Sequence, residues 1–364
     1  MVHSTPPNLR SHLLRVQSNK LPVRVIDLTL LAGGEIFWQG ALMDTLYPMK
    51  FEPIFKSMLW GGRRLPGFVN RPAPHDDPIG EAWVLSDVDG NVSTVANGHF
   101  RGLSLRELLA QHARAVFGDV VPADGKFPLL LKFIDARQEL SVQVHPNDEQ
   151  AVQMKGEGFR GKTEAWVILH ADPETSKIYA GFRPGVTADE FRTAMRTNTT
   201  PQTLHSFTPT HGDCVFLRSG TVHAIGANIL LFEVQQTSDI TYRLYDWDRV
   251  NAKTGQPRQL HVEYGLTCSD FAKGPCHPVT PKRVGDRDNL VDCEYFTLDH
   301  THSDTPLTVG AVGQCRVVVC IQGSGTVGGE PITQGEVILL PASLGAVGVV
   351  PNRPIRLLEC GIRA

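Results

Sequence analysis

Apolar residues recur along the chain with two different periods. Ser104 is followed three places later by Glu107, and Leu105, Leu108, Leu109, His112 and Val116 then repeat at helical spacing as far as Gly118. A serine that caps the first turn, a glutamate that reaches back to it and a terminal glycine predict a helix between Ser104 and Gly118. Thr187 with Glu190 is a second such start and predicts a short helix through Arg196. Elsewhere the apolar stretches are short and rich in β-branched residues: Pro128 to Ile134, Leu140 to Val144, Thr163 to Leu169, Cys214 to Leu217, Ile229 to Gln235 and Arg316 to Ile321. Gly or Pro turns separate them at the spacing of a jelly roll or barrel. The pattern predicts a mainly β protein with a few short helices inserted.

Composition narrows the choice of class. At ~150 residues per domain, 364 residues suggest two or three domains. Hydrophobic residues make up 41%, charged residues 20%, and the net charge is −3, values of a globular chain with no basic excess for nucleic acid. No apolar run approaches the ~18 residues of a membrane-spanning helix. All seven cysteines lie from Cys214 onward without a CxxC pair, which argues against a thiolate zinc site and for buried, reduced thiols in a cytoplasmic chain. Residues 1–46 differ from the rest, with Arg10, Arg15, Lys20 and Arg24 preceding the first acid, Asp27. Val25 to Ala32 is too short and too acidic for a signal-peptide core. An organelle-type transit segment, a loose extension or a true start at Met43 are the readings open, and no chemistry is assigned there.

An internal echo suggests two copies of one β unit. Gly212-Asp213-Cys214-Val215-Phe216-Leu217 resembles Gly335-Glu336-Val337-Ile338-Leu339-Leu340, a Gly and an acid entering an apolar strand. The turns that follow resemble the cupin pattern of Gly, five residues, Pro, any residue, Gly, two residues, His. The first copy has Arg218 at the Pro place and keeps Gly220 and His223; the second keeps Pro341 but has Ala346 where the His would stand. This resemblance implies that the first unit can bind metal and the second cannot.

Strand parity gathers the chemistry-bearing residues. In Ser141-Val142-Gln143-Val144-His145, Gln143 and His145 share a face opposite Val142 and Val144. By the same period Lys162 and Glu164 share a face of the next strand, and His223 follows the Gly220 turn. Two imidazoles and a carboxylate form a catalytic zinc set with room for substrate, joined here by an amide oxygen, although ferrous iron accepts the same donors.

Several ordered stretches resemble the short bacterial form of the type I phosphomannose isomerases (mannose-6-phosphate isomerases), a family of the cupin superfamily. They are Tyr47-Pro48-Met49-Lys50-Phe51-Glu52-Pro53, Leu59-Trp60-Gly61-Gly62, Gln143 to Asp148, Gly161 to Trp166, Gly220 to Ala224 and Gln235 to Arg249. The resemblance implies two cupin-type jelly-roll β-barrels with short helices inserted: a catalytic metal-binding unit over 47–280 and a degenerate unit without ligands over 281–364. It implies one Zn²⁺ per chain held by Gln143, His145, Glu164 and His223, with Arg243 the essential arginine and Lys162 beside the ligand glutamate. It implies interconversion of mannose 6-phosphate and fructose 6-phosphate through a cis-enediol, by a cytoplasmic monomer or weak homo-oligomer acting on a small sugar phosphate, with no nucleic-acid or membrane partner.

Other readings of the same residues stay open at this point. A metal-holding cupin that binds sugar or regulates without turnover would keep the ligands but not need Lys162 and Arg243 together. A ferrous cupin oxygenase would require open coordination positions. Arg243, among Tyr242, Asp246, Asp248 and Arg249, also fits an ordinary surface ion pair. Lys162 suits either a general base or a phosphate contact, and Asp239 and Glu263 are further candidates for the base. Trp60-Gly61-Gly62 fits a sugar-pocket wall or a packed turn, and Lys56, Arg63 and Arg64 fit phosphate contacts or solvated surface. Asn147 and Asp148 read as turn formers after Pro146.

Overall fold

A computed structural model describes residues 45–250 and 255–363. Residues 1–44 of the expected extension, including Met43, lie outside the described residues, and from Leu46 onward the chain forms one compact unit. Strands dominate, as the alternating pattern predicts.

Two antiparallel sheets build the part that carries the site. The first runs in the order Cys214–Leu217, Glu164–His170, Ile229–Gln236, Leu129–Ala136, Ile54–Gly62 and Ile79–Leu85. The second runs Leu204–Phe207, Ile178–Phe182, His223–Ile225, Val142–Val144 and Tyr242–Tyr245. Their inner faces share one apolar cluster, in which Ile134, Trp166, Ile168, Leu217, Ile229 and Leu231 of the first sheet meet Ile178, Ala180 and Ile225 of the second. Such face-to-face packing of antiparallel sheets is the sandwich arrangement of β proteins. Among the described residues neither sheet closes on itself.

The outer faces are covered by other parts of the chain. Val142, Val144, Phe182, Val222, Ala224 and Leu244 turn outward from the second sheet and pack with Ala151, Phe191 and Cys268 of three helices, Asp148–Lys155, Ala188–Arg196 and Val262–Cys268. Behind the first sheet, Leu131, Phe133, Val167 and Phe232 pack with Leu105, Leu108 and Leu109 of the Leu105–Phe117 helix and with Val317, Leu339 and Leu358 of a third sheet. That nine-stranded sheet is built mainly from residues 282–362, and the short strand Met49–Lys50 joins its edge against Ile338 and Leu339.

Both predicted helices form with reciprocal caps at Ser104/Glu107 and Thr187/Glu190. Asn147 corrects the sequence reading: it caps a helix over Asp148–Lys155, its side chain accepting from Gln150 N while Gln150 returns to Asn147 N. Trp60-Gly61-Gly62 is neither a turn nor an open wall: it closes the strand Ile54–Gly62, packed tightly at its glycines. A Cβ on Gly61 would lie 2.5 Å from Gly80 N, and Trp60 is itself buried. Arg64 pairs with Asp135 at 2.7 Å, and Lys56 lies 4.6 Å from the Trp83 ring centre.

Candidate metal centre and active site

Three strand ends bring the donors together. Gln143 lies mid-strand, His145 follows Val144, Glu164 opens its strand and His223 opens another. In the second sheet His223 is directly opposite Gln143, and Gln143 is directly opposite Arg243, so the three form one cross-strand row. Gly220 makes the approach to His223 possible. Its backbone is left-handed at φ +83°, and its N–H donates to the His145 carbonyl at 2.9 Å.

His145, Glu164 and His223 are all buried, and one donor atom from each lies within 4.8 Å of the others. The His145 Nδ1 faces the Ile240 carbonyl at 2.8 Å and the His223 Nδ1 faces the Thr221 carbonyl at 2.9 Å. A carbonyl can only accept, so each ring carries its proton on Nδ1 and presents an unprotonated Nε2. These Nε2 atoms stand 3.7 Å and 3.2 Å from the two Glu164 oxygens. Lone pairs thus face lone pairs, and neither His145 Nε2 nor Glu164 Oε1 has a hydrogen-bond partner. Buried acceptors left this way are costly unless a cation sits among them. Two imidazoles and a carboxylate are the donors that zinc or ferrous iron takes. Burial drives the His223 imidazole down to about 4 and holds His145 well below the usual histidine range, so both stay neutral as ligands must. Gln143 Nε2 is 3.3 Å from His223 Nε2. A half-turn of the amide would present its oxygen there instead.

A row of buried charges adjoins the triad. Lys162 Nζ lies 2.9 Å from Glu164 Oε2 and 3.6 Å from Glu233 Oε1. Lys132 Nζ lies 3.2 Å from Glu233 and 3.5 Å from Glu81. Trp166 Nε1 donates to Glu233 Oε2 at 2.9 Å and Trp83 Nε1 to Glu81 Oε2 at 2.6 Å. Burial and Glu233 together raise the Glu164 carboxyl against the pull of Lys162. Burial works to raise Glu233 as well, but Lys132 and Lys162 outweigh it and hold that carboxyl below its usual range. None of Glu233, Lys132, Glu81 and Trp166 was singled out from the sequence. The signal was a charge set among apolar residues in each of three strands, at Glu81, Lys132 and Glu233.

The remaining candidates separate. Arg243 Nε donates to Ser141 Oγ at 3.3 Å and Nη1 to the Gln259 carbonyl at 3.0 Å. Asp246 is taken by Arg249 at 2.6 Å and by Arg258, and among the described residues Arg243 forms no ion pair. Among the described residues the ordinary ion-pair reading of Arg243 therefore finds no carboxylate within pairing distance. Glu263 is exposed and pairs with Arg192 at 3.2 Å, while Asp239 is exposed.

Known proteins share this arrangement of sequence and fold. The family model for the type I phosphomannose isomerase catalytic domain matches residues 49–159. The mannose-6-phosphate isomerase ManA of Bacillus subtilis (strain 168) is 35% identical over 309 residues, covering 83% of this chain and 95% of that protein. This chain belongs to the type I phosphomannose isomerase family. The mannose-6-phosphate isomerase of Streptococcus mutans is 33% identical over 306 residues, covering 80% of this chain and 93% of that one. The crystal structure of the mannose 6-phosphate isomerase from Bacillus subtilis superposes with a TM-score of 0.77 at 29% identity, covering 86% of this chain and 99% of that one. Family membership agrees with the resemblance seen in the sequence motifs, and with the mainly β fold.

Proposed function

We propose that this chain interconverts mannose 6-phosphate and fructose 6-phosphate through a cis-enediol, using one Zn²⁺ held by His145, Glu164 and His223 with Gln143 as a fourth ligand. The observation that carries the proposal is the meeting of unprotonated Nε2 atoms with the Glu164 carboxylate in a buried pocket, inside a chain of this family. Bound zinc would supply Lewis-acid polarisation and compensate charge on a substrate oxygen.

The chain's own residues account for the rest. Moving a proton between C1 and C2 builds negative charge on the adjacent oxygen. Arg243 remains cationic although burial works to lower it, and it forms no ion pair among the described residues, so it suits that developing charge. Lys162 is buried between Glu164 and Glu233, which suits a group that handles the proton better than one that captures phosphate from water. Glu233 faces Lys162 and balances its charge, and Lys132 pairs with Glu233 in turn and helps hold that carboxylate in place. The apolar cluster on the same inner faces keeps water from the floor of the site.

The proposal extends to the architecture. Residues 47–280 act as the metal-binding cupin jelly roll and 281–364 as a degenerate one whose interior is filled by Val318, Cys320, Ile338, Leu340 and Leu357. The seven cysteines are free and most are buried, which supports residence in the cytoplasm, and we assign the enzyme there as a monomer or weak homo-oligomer. No helix among the described residues is long and apolar enough to cross a membrane.

A coupled assay with mannose 6-phosphate on purified protein, before and after chelation and zinc return, tests function and cofactor together. Activity that falls with the chelator and returns with zinc is expected. Activity that is absent from the start, or indifferent to chelation, contradicts the proposal.

A further inference from the structure

Asp148 is half-buried in the first turn of the Asp148–Lys155 helix, where an acid is favoured by the helix dipole. Glu149 already meets that need. The three hydrogen bonds that reach the Asp148 carboxylate come instead from other parts of the chain. Oδ1 accepts from Gly161 N at 2.7 Å and from Gln236 Nε2 at 3.1 Å, and Oδ2 accepts from Tyr295 OH at 3.0 Å.

Each of these donors leads toward the metal centre or away to the C-terminal sheet. Gly161 begins the segment that carries Lys162 and Glu164. It packs so closely that a Cβ there would fall 2.5 Å from the Asn147 carbonyl carbon. Gln236 uses its other amide atom to accept from Thr163 N at 2.9 Å, so one side chain bridges Asp148 to the residue beside Glu164. Lys162 N donates to the Pro146 carbonyl at 3.0 Å, directly after His145. The same seam reaches the third ligand segment, because Ser219 N donates to Thr163 Oγ1 at 3.3 Å. Tyr295 belongs to the turn between the strands Arg287–Asp292 and Phe296–Ser303.

We propose that Asp148 is a positioning residue for the metal centre: through Gly161 and Gln236 it fixes the spacing between the His145 and Glu164 segments, and through Tyr295 it anchors that spacing to the C-terminal sheet. The inference rests on the metal centre proposed above. Asp148 touches neither ligand atoms nor substrate, so it acts on how well the triad is arranged before an ion arrives. Groups that orient metal ligands change affinity by about 10–100-fold when removed.

The test is a chelator-competition titration of Zn²⁺ into the metal-free full-length chain, for the wild type, Asp148→Ala and Gln236→Leu, with melting temperatures recorded alongside. Asp148→Ala is expected to weaken the zinc Kd by about 10–100-fold and Gln236→Leu by about tenfold. A residue that merely stabilised the fold would lower the melting temperature and leave the Kd in place. Affinity within about threefold of wild type in folded Asp148→Ala overturns the proposal. Should that variant fail to fold, Gln236→Leu decides by the same criterion. A wild-type chain that binds no zinc overturns the reading of the metal centre itself, which separates the two failures.

Discussion

Replacing Lys132 by Met removes a cation from the centre of the buried charge row while nearly keeping its volume. Lys132 Nζ stands 3.2 Å from Glu233 Oε1 and 3.5 Å from Glu81 Oε2, and the three side chains are 8%, 3% and 10% exposed. The change therefore opens little cavity, and its effect is electrostatic. Removing one partner of a buried ion pair costs about 3–5 kcal/mol because the other charge stays behind in a poorly solvated place. At about 2–4 °C per kcal/mol for chains approaching this size, the melting temperature should fall by roughly 10 °C. The pH dependence gives the sharper check. Burial works to lower the Lys132 ammonium, but Glu233 and Glu81 outweigh it and raise it above the ordinary 10.5, so its contribution is complete below that value and is lost only as pH rises beyond it. Glu233 is held below its ordinary 4.5, so its contribution is complete above that value and fades as pH falls through the lowered one. Between these limits the penalty in Lys132→Met should be level. It should shrink in acid, where the stranded Glu233 takes up a proton. Urea denaturation of both proteins from neutral to acid pH measures this, and Glu233→Gln added to Lys132→Met should recover part of the loss. A penalty under about 1 kcal/mol at neutral pH, the size of an exposed pair, would refute the reasoning.

Three further outcomes are expected. His223→Ala and Glu164→Gln should each lose bound zinc, read by elemental analysis, and lose isomerase activity; normal metal content in both would reject the ligand assignment. Arg243→Ala should lower kcat by about 10²–10³-fold with zinc stoichiometry intact, as for other removed groups that stabilise transition-state charge, and a near-normal kcat would reject that role. Ser104→Ala should lower the melting temperature by a few degrees through loss of the reciprocal cap on the Leu105–Phe117 helix, without touching metal content; an unchanged melting temperature would count against it.

Local signals carried much of the fold into view from the sequence. The caps at Ser104 and Thr187 each sit before a run with several buried positions, Leu105, Leu108 and Leu109 in one case and Phe191 and Ala194 in the other. Asn147 looks like a turn former in the sequence because the helix it caps buries only Ala151 and so lacks an apolar stripe. The Val262–Cys268 helix has no side-chain cap to announce it. In the site, the two-residue period of strands paired Gln143 with His145 and Lys162 with Glu164, and the Gly220 turn pointed to His223. The charge row was hidden for a different reason. Trp83, Lys132, Glu233 and Trp166 lie side by side across four strands, with Lys132 opposite both Trp83 and Glu233 and Glu233 opposite Trp166. Neighbours of that kind depend on strand order, which no short stretch of sequence encodes. Each charge taken singly, as in Leu129-Leu130-Leu131-Lys132-Phe133, looks like an interruption in an apolar strand.

X-ray absorption at the zinc edge on the purified chain loaded with one equivalent of Zn²⁺ interrogates the triad most directly. The predicted spectrum shows only nitrogen and oxygen neighbours at about 2.0–2.1 Å with the outer-shell scattering of two imidazoles, falling to one imidazole or to unbound metal in His223→Ala. Sulfur neighbours at about 2.3 Å, or a spectrum that His223→Ala leaves unaltered, would mean that the ion is held elsewhere.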